Sequence, residues 1–336
     1  MITQQIAYIE PRSLQEAMKL LRDYGSSAKL LAGGVDITTL LKASAIKPEI
    51  LVGLGSLPEL NHIRYNEGAR LSIGAMTRLT KVCDSKTVRE RYPILREAAR
   101  HVATPQIRNM GTIAGNLLQE VWCWYLRSGF DCWKAGGKGC PAATGENSTY
   151  FSIMGGKYCM AAYSSDLGAA LLALGAKAKV CSASGERILG MSELLPGATI
   201  IDGKIRSNAL RSDEILTEIT IPSTEASILW GYQRFSAREC WDFPLVTVAF
   251  VATLKKQTGA VEDCKIALGG VAPSPYRVTE AERIVKESGI LPDSAERAGK
   301  SVAAECRALK MNDYKIRIAC TLVQRAISGS ASLSFE

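Results

Sequence analysis

Histidine is nearly absent from this chain of 336 residues, which contains only His62 and His101. The side chain that most often moves protons near neutral pH is therefore scarce, which argues against histidine-driven hydrolysis. The sequence also lacks any run of about 18–20 apolar residues, the length that a membrane-crossing helix needs. Its first residues show neither the basic segment nor the apolar segment of a secretory signal. These absences predict a cytoplasmic protein without a membrane span.

Long blocks of one charge sign are also missing. Lys and Arg outnumber Asp and Glu by 41 to 33, but the resulting formal charge of +8 is scattered along the chain. Nucleic-acid-binding proteins usually gather basic residues on one face or tail, so we expect no nucleic acid as a partner. A mild basic excess suits an anionic cofactor or an acidic partner subunit instead.

What the sequence does contain is an alternation of short strands and helices, which predicts an α/β or α+β fold. The hydrophobic fraction of 47% supplies material for more than one core. The pattern predicts a helix over 13–24 with Ser13 as its cap, a single helix over 89–102 and a loop over 105–115. We place a first domain at 1–224 and a second at 229–331, with a linker near 222–225.

Two glycine-rich segments have the character of phosphate-binding loops. The first is Ala32-Gly33-Gly34-Val35-Asp36, and the second, residues 107–116, combines Gly111 and Gly115 with Thr112 and Asn116. Glycines let backbone N–H groups converge on an anion, and a following helix adds the positive end of its dipole. Neither segment matches the Rossmann or P-loop pattern. The two loops together suit a diphosphate, although each alone also fits an ordinary strand-to-helix turn.

Residues 119–161 show neither strand nor helix periodicity, and loops this long inside a domain are usually functional. The segment holds three of the five tryptophans and the four cysteines Cys123, Cys132, Cys140 and Cys159. In a reducing compartment, clustered cysteines more often bind metal than form disulfides. Structural zinc sites usually show closely paired cysteines, and none occur here, so a 4Fe–4S cluster is favoured. Zinc, or no metal, stays open.

In order and combination these segments resemble the FAD-binding (medium) subunits of the molybdenum hydroxylase family, which includes xanthine dehydrogenase and carbon monoxide dehydrogenase. Besides the two glycine segments, the resemblance covers Ile73-Gly74-Ala75-Met76-Thr77, Ser165-Asp166-Leu167, and residues 234–238 and 269–272. It implies an α+β fold with a two-subdomain FAD-binding domain of the vanillyl-alcohol-oxidase type. A smaller C-terminal α+β domain is expected to follow.

The resemblance also implies roles for individual residues. The glycine loops would hold the FAD pyrophosphate, Asp166 would bond a cofactor hydroxyl, and Ile73, Leu216 and Arg234 would approach the isoalloxazine. The implied FAD-contacting residues are Ala32, Gly33, Gly34, Val35, Asp36, Ile73, Thr77, Arg108, Gly111, Thr112, Gly115, Asn116, Asp166, Leu216 and Arg234. A sub-branch that includes the 4-hydroxybenzoyl-CoA reductase flavoprotein subunit carries an inserted 4Fe–4S loop, and the four cysteines match its order.

The function expected on this basis is electron transfer through FAD and a 4Fe–4S cluster. Expected partners are a molybdenum-cofactor large subunit, a 2Fe–2S small subunit and an external electron donor or acceptor such as a ferredoxin-like protein. The complex would be similar to 4-hydroxybenzoyl-CoA reductase or to an aldehyde or heterocycle dehydrogenase. A stand-alone FAD-dependent oxidase and a non-enzymatic, zinc-binding assembly protein are the alternatives.

Overall fold

The computed structural model describes residues 5–66, 70–201, 203–223 and 228–333. The strands are β1 Ala7–Ile9, β2 Ala28–Leu31, β3 Ile50–Gly53, β4 Ile63–Asn66, β5 Arg70–Gly74, β6 Lys177–Ser182, β7 Gly185–Gly190, β8 Thr199–Ile201, β9 Lys204–Arg206, β10 Ile215–Pro222, β11 Ile228–Phe235, β12 Val246–Leu254, β13 Val261–Gly269, β14 Tyr276–Arg277 and β15 Ala331–Leu333. The α-helices are α1 Leu14–Tyr24, α2 Val35–Lys42, α3 Leu79–Asp84, α4 Lys86–Arg91, α5 Pro93–Arg100, α6 Pro105–Met110, α7 Ile113–Leu117, α8 Trp124–Arg127, α9 Asp166–Ala173, α10 Met191–Leu194, α11 Thr279–Ser288, α12 Pro292–Glu305 and α13 Tyr314–Ser328.

The first subdomain is built on a parallel sheet in the order β1-β3-β2. Helix α1 begins as the sequence predicts, because Ser13 Oγ accepts a hydrogen bond from Glu16 N at 3.1 Å. Its buried residues Ala17 and Leu21 pack with Val52 of the central strand in one apolar cluster. The chain leaves β2 directly into the first glycine segment and α2, so this sheet positions the first loop.

The second subdomain is an antiparallel sheet in the order β4-β5-β10-β6-β7, covered by helices that include α5 and α9. The single helix predicted over 89–102 is wrong, since the structure has α4 and α5 with Tyr92 between them. Pro93 lacks a backbone N–H and cannot continue a helix, but it suits the first position of a new one. Helix α9 is buried on all sides, with no exposed residue along its length.

The C-terminal domain has a sheet in the order β14-β13-β12-β11-β15, against which α11 and α13 pack, while α12 packs on these two helices. Strand β11 pairs with β12 over eight residues, from Ile228 opposite Thr253 to Phe235 opposite Val246. Strand β11 is not among the strands that the sequence predicts. The predicted linker at 222–225 falls partly on residues 224–227, which lie outside the described part of the chain. The α+β class is confirmed.

The loop predicted over 105–115 is instead two short helices, α6 and α7. Thr104 caps α6 through its side chain, Pro105 occupies its first position, and Thr112 caps α7. The predicted irregular segment 119–161 is confirmed apart from α8 and two short 3₁₀ turns. No helix in the described part of the chain is long and apolar enough to cross a membrane.

Candidate cofactor-binding site

The two glycine loops meet backbone to backbone. A Cβ atom at Gly33 would lie 2.0 Å from Met110 O and 3.1 Å from Gly111 Cα. A Cβ atom at Gly115 would lie 3.8 Å from Ala32 Cβ, so the contact continues along both segments. Only a residue without a side chain permits an approach this close. The structure therefore brings together the two segments that the sequence analysis paired.

The first loop presents free backbone donors at the start of α2. Gly34 caps this helix in the left-handed region, with φ of 77°. The first helical hydrogen bond runs from Thr38 N to Gly34 O at 3.2 Å, so the N–H groups of Val35 and Asp36 have no acceptor within the helix. Converging N–H groups at a helix N-terminus bind phosphate well. The first loop can therefore bind a phosphate through its backbone N–H groups alone.

The second loop has fewer free donors than its sequence predicts, because most of its N–H groups bond within the chain. Ile113 N donates to Thr77 O at 2.9 Å, and Ala114 N donates to Ala75 O at 3.1 Å. Gly115 N donates to Thr112 Oγ1 at 3.1 Å. Any anion contact from this loop therefore comes mainly from side chains, the Thr112 hydroxyl and the Asn116 amide.

Asp166 and Arg234 form a buried ion pair between the first domain and the C-terminal domain. Arg234 Nε donates to Asp166 Oδ1 at 2.9 Å, and the two side chains are 4% and 5% exposed. Tyr232 OH donates to the same oxygen at 3.1 Å. Burial raises the pKa of Asp166, and the guanidinium of Arg234 opposes that rise. Both residues were expected to contact the cofactor, whereas the structure gives each a protein partner; Tyr232 was not predicted.

Four other predicted contacts also bond or pack within the protein. Ile73 and Leu216 lie on neighbouring strands β5 and β10, with 0% and 2% exposure, inside the apolar core. Thr77 Oγ1 donates to His62 O at 2.9 Å. Arg108 Nη1 donates to Val102 O at 2.8 Å. Their roles toward a cofactor remain predictions.

Residues 119–161, called the cysteine insertion below, dock onto the first glycine loop through Asp36. Arg127 Nη2 donates to Asp36 Oδ1 at 2.8 Å, and Glu120 N donates to Asp36 Oδ2 at 2.8 Å. Arg127 also bonds Thr39 Oγ1 at 2.9 Å. Asp36 was predicted to contact the cofactor; the structure pairs it with Arg127 instead. Sequence alone offered no signal for a pair 91 residues apart.

An Arg127→Met variant is expected to loosen this attachment. The substitution keeps the length of the side chain but leaves the half-buried Asp36 carboxylate without its cation, a loss of about 2–3 kcal/mol. Limited proteolysis should then cut within 119–161 faster than in the unchanged protein. Arg283→Met, which breaks an exposed pair with Glu280, is the matched control and should not change the cleavage rate. Equal rates for both variants would show that Arg127 does not anchor the insertion.

The four cysteines line one small cavity inside the insertion. Cys123, Cys132, Cys140 and Cys159 all contribute to its wall. Burial raises the pKa of Cys159 to about 12, and the Lys134 ammonium acts in the opposite direction. Backbone donors from Tyr125 and Leu126 reach Cys123 and act to lower its pKa, although burial raises it overall. Such donors are typical around metal-bound thiolates.

The thiols share a cavity without forming a ready ion site. Across the part of the chain that the structure describes, no three His, Cys, Asp or Glu side chains are grouped so as to hold a metal ion. Lys134 is 6% exposed and bonds Glu120 Oε1 at 2.9 Å, while Trp133 also lines the cavity and is 41% exposed. The cavity therefore has buried sulfur, one nearby cation and a partly open aromatic wall.

Models of protein families identify the family to which this chain belongs. Residues 4–224 match the model of the FAD binding domain in molybdopterin dehydrogenase. The chain belongs to that family. Residues 232–329 match the CO dehydrogenase flavoprotein C-terminal domain. This molybdopterin dehydrogenase flavoprotein therefore binds FAD as a subunit of an oxidoreductase, and the family resemblance read from the sequence is confirmed.

Individual relatives cover from three quarters to nearly all of the chain. The carbon monoxide dehydrogenase medium chain of Hydrogenophaga pseudoflava is 27% identical over 98% of both chains. The aldehyde oxidoreductase FAD-binding subunit of Escherichia coli is 30% identical over 76% of this chain and 78% of its own length. A solved structure of the Hydrogenophaga enzyme superposes with a TM-score of 0.76 and 27% identity, covering 97% of each chain. The match to the Hydrogenophaga medium chain thus extends over both domains.

Proposed function

We propose that this flavoprotein carries a second redox group, a 4Fe–4S cluster held by Cys123, Cys132, Cys140 and Cys159. The observation that supports it is the common cavity of these four cysteines, inside an insertion attached to the first FAD loop. When bound, FAD and the cluster would exchange electrons with one another and with a 2Fe–2S small subunit and an external, ferredoxin-like or other, partner. The substrate would react at a molybdenum-cofactor large subunit.

Different residues of the chain would hold FAD and the cluster. Backbone donors around Gly33, Gly34 and Val35, with the side chains of Thr112 and Asn116, would bind the FAD pyrophosphate. The buried Asp166–Arg234 pair would fix the wall between the two domains beside the flavin. Lys134 lines the same cavity as Cys159, and its ammonium would offset the negative charge of thiolates. None of these roles requires a proton to be moved, which fits a chain with two histidines.

The complex is proposed to be 4-hydroxybenzoyl-CoA reductase-like or an aldehyde or heterocycle dehydrogenase, in the cytoplasm. The names of the relatives support the second group, since they include an aldehyde oxidoreductase subunit and a nicotine 6-hydroxylase medium subunit. The choice of substrate would be made in the molybdenum subunit.

The deciding experiment measures iron, acid-labile sulfide, zinc and FAD per chain in anaerobically purified protein. We expect about four irons, four sulfides and one FAD. FAD without iron would overturn the cluster and leave the flavoprotein assignment intact. Zinc in place of iron would assign the cavity to a structural metal.

A Cys132→Ser variant tests the ligand assignment. Because a serine hydroxyl replaces one thiolate, we expect the variant to lose cluster iron while keeping its FAD, since Cys132 lies outside both glycine loops. Cys240→Ser is the matched control, because Cys240 is an exposed cysteine outside the insertion. Iron content equal to that of the unchanged protein in Cys132→Ser would remove Cys132 from the ligand set.

A further inference from the structure

Lys315, on the first turn of α13, is a fully buried lysine without an acidic partner. Its side chain is 0% exposed, and none of the described carboxylates forms an ion pair with it. Burial lowers its pKa to about 7, and no neighbouring charge contributes to that shift. Buried lysines usually pair with a carboxylate or remain neutral, because an isolated charge inside a protein is costly. Nothing in FAD binding or in the cysteine cavity accounts for this residue.

The amine of Lys315 bridges two segments of the chain. Its Nζ donates to Phe151 O at 2.8 Å and to Gly270 O at 2.5 Å. A neutral amine has two N–H groups, and two carbonyl oxygens satisfy both; a charged ammonium would have a third donor to place. The geometry is thus complete for the neutral form, and it ties the cysteine insertion to the loop after β13.

Phe151 belongs to the hairpin that carries Cys159. Phe151 pairs with Ala161 in an isolated antiparallel bridge. On either side, Ser152 N donates to Met160 O at 2.7 Å and Ala162 N donates to Tyr150 O at 2.8 Å. Cys159 lies next to this ladder, so a shift of the Phe151 strand moves the Cys159 strand with it.

The C-terminal domain holds the same hairpin by several further bonds around Lys315. Asn312 Nδ2 donates to Phe151 O at 3.3 Å and to Ser152 O at 3.1 Å. Ile153 N donates to Val271 O at 2.7 Å, and Arg307 N donates to Ile153 O at 2.6 Å. Among these contacts, Lys315 is the one whose side chain reaches both the hairpin and the Gly270 loop.

We propose that Lys315 is a positioning residue of the four-cysteine centre, which fixes the Cys159 hairpin against the C-terminal domain. The proposal rests on the proposed cluster. The donor group that Phe151 O and Gly270 O share would add to the bonds from Asn312 and Arg307 in holding the hairpin, and so the cavity wall, in place. The C-terminal domain, which contributes no cysteine to the cavity, then determines how firmly the cluster is held.

The test compares Lys315→Met with Lys315→Gln in the complete, anaerobically purified chain. Methionine keeps the unbranched shape but has no donor, while the glutamine amide restores two N–H groups. We expect Lys315→Met to release iron to a ferrous chelator about 10-fold faster than the unchanged protein, the scale of lost second-layer contacts at metal sites. Lys315→Gln should recover part of that loss. FAD per chain should stay constant in both.

Each outcome separates the inference from the proposed function. Unchanged protein without iron would overturn the cluster itself. Iron in the unchanged protein with equal release rates in all three chains would overturn the role of Lys315 alone. If Lys315→Met and Lys315→Gln released iron equally faster than the unchanged protein, the role of Lys315 would also be overturned. That result would mean that the packing of the side chain matters and that its hydrogen bonds do not. Loss of FAD together with iron would mean general unfolding and would contradict a local positioning role.

Discussion

Replacing Gly33 by alanine is expected to weaken FAD binding by about 100-fold, an effect of about 3 kcal/mol. The new methyl group would lie 2.0 Å from Met110 O, which is a backbone atom and cannot rotate away. The two glycine loops must then separate, which removes the arrangement that would hold the pyrophosphate from both sides. Titrating flavin-free protein with FAD, and monitoring the quenching of flavin fluorescence at each addition, measures the dissociation constant directly.

Two other glycines provide a control and an intermediate case for this variant. Gly55 is exposed, and a methyl group added there would have no atom within 4 Å, so Gly55→Ala should bind FAD as the unchanged protein does. Gly34→Ala meets only Leu31 Cδ1 at 3.7 Å and Thr38 Cγ2 at 4.0 Å, but its φ of +77° strains any side chain, by about 1–2 kcal/mol. The expected order of affinity is therefore Gly55→Ala, then Gly34→Ala, then Gly33→Ala. Equal affinity at all three positions would mean that FAD does not depend on the contact between the loops.

Lys315→Met is expected to remove a rise in stability with pH. The pKa of Lys315 is about 7 in the folded chain, whereas an unfolded lysine titrates near 10.4. Between these values the unfolded chain binds one more proton, so the free energy of unfolding increases as the pH rises. From about pH 7 to 9 the gain is about 2 kcal/mol, and below the folded pKa both states are protonated and the contribution no longer changes.

Urea unfolding of both chains at several pH values measures this difference. The unchanged protein should gain stability relative to Lys315→Met on going from pH 7 to 9, because the variant has no amine to protonate. Lys300→Met, which removes a lysine that is 74% exposed on α12, should retain the slope. Parallel curves for the unchanged protein and Lys315→Met would show that the amine is charged in the fold.

Sequence reasoning succeeded where short-range chemistry decides the structure. The Ser13 cap, the two glycine loops and the irregular cysteine insertion could all be predicted from residue types and spacing. The single helix predicted over 89–102 is wrong because Pro93 starts a new helix, and apolar periodicity does not reveal such a break. The prediction of a loop over 105–115 is wrong because Thr104 and Thr112 cap helices that are too short for apolar periodicity to detect.

Long-range pairing of charges was beyond sequence reasoning. Asp36, Asp166 and Arg234 were identified as important, but as cofactor contacts. In the fold, Asp36 bonds Arg127, and Asp166 bonds Arg234 and Tyr232. Partners 66 to 91 residues apart become neighbours only through the assembly of separate sheets, and a single sequence carries no record of that distance. Lys315 was missed for the same reason.

The attachment of the cysteine hairpin to α13 has a consequence for how the protein is made. Translation proceeds from the N-terminus, and domains generally fold in that order as they emerge. Residues 119–161 therefore leave the ribosome well before Arg307, Asn312 and Lys315, the residues that hold the hairpin. Until the last helix is synthesised, the hairpin that carries Cys159 lacks its bonds to Asn312 and Lys315. Closure of the cavity then waits for the end of the chain, so the proposed cluster would be completed on a finished polypeptide.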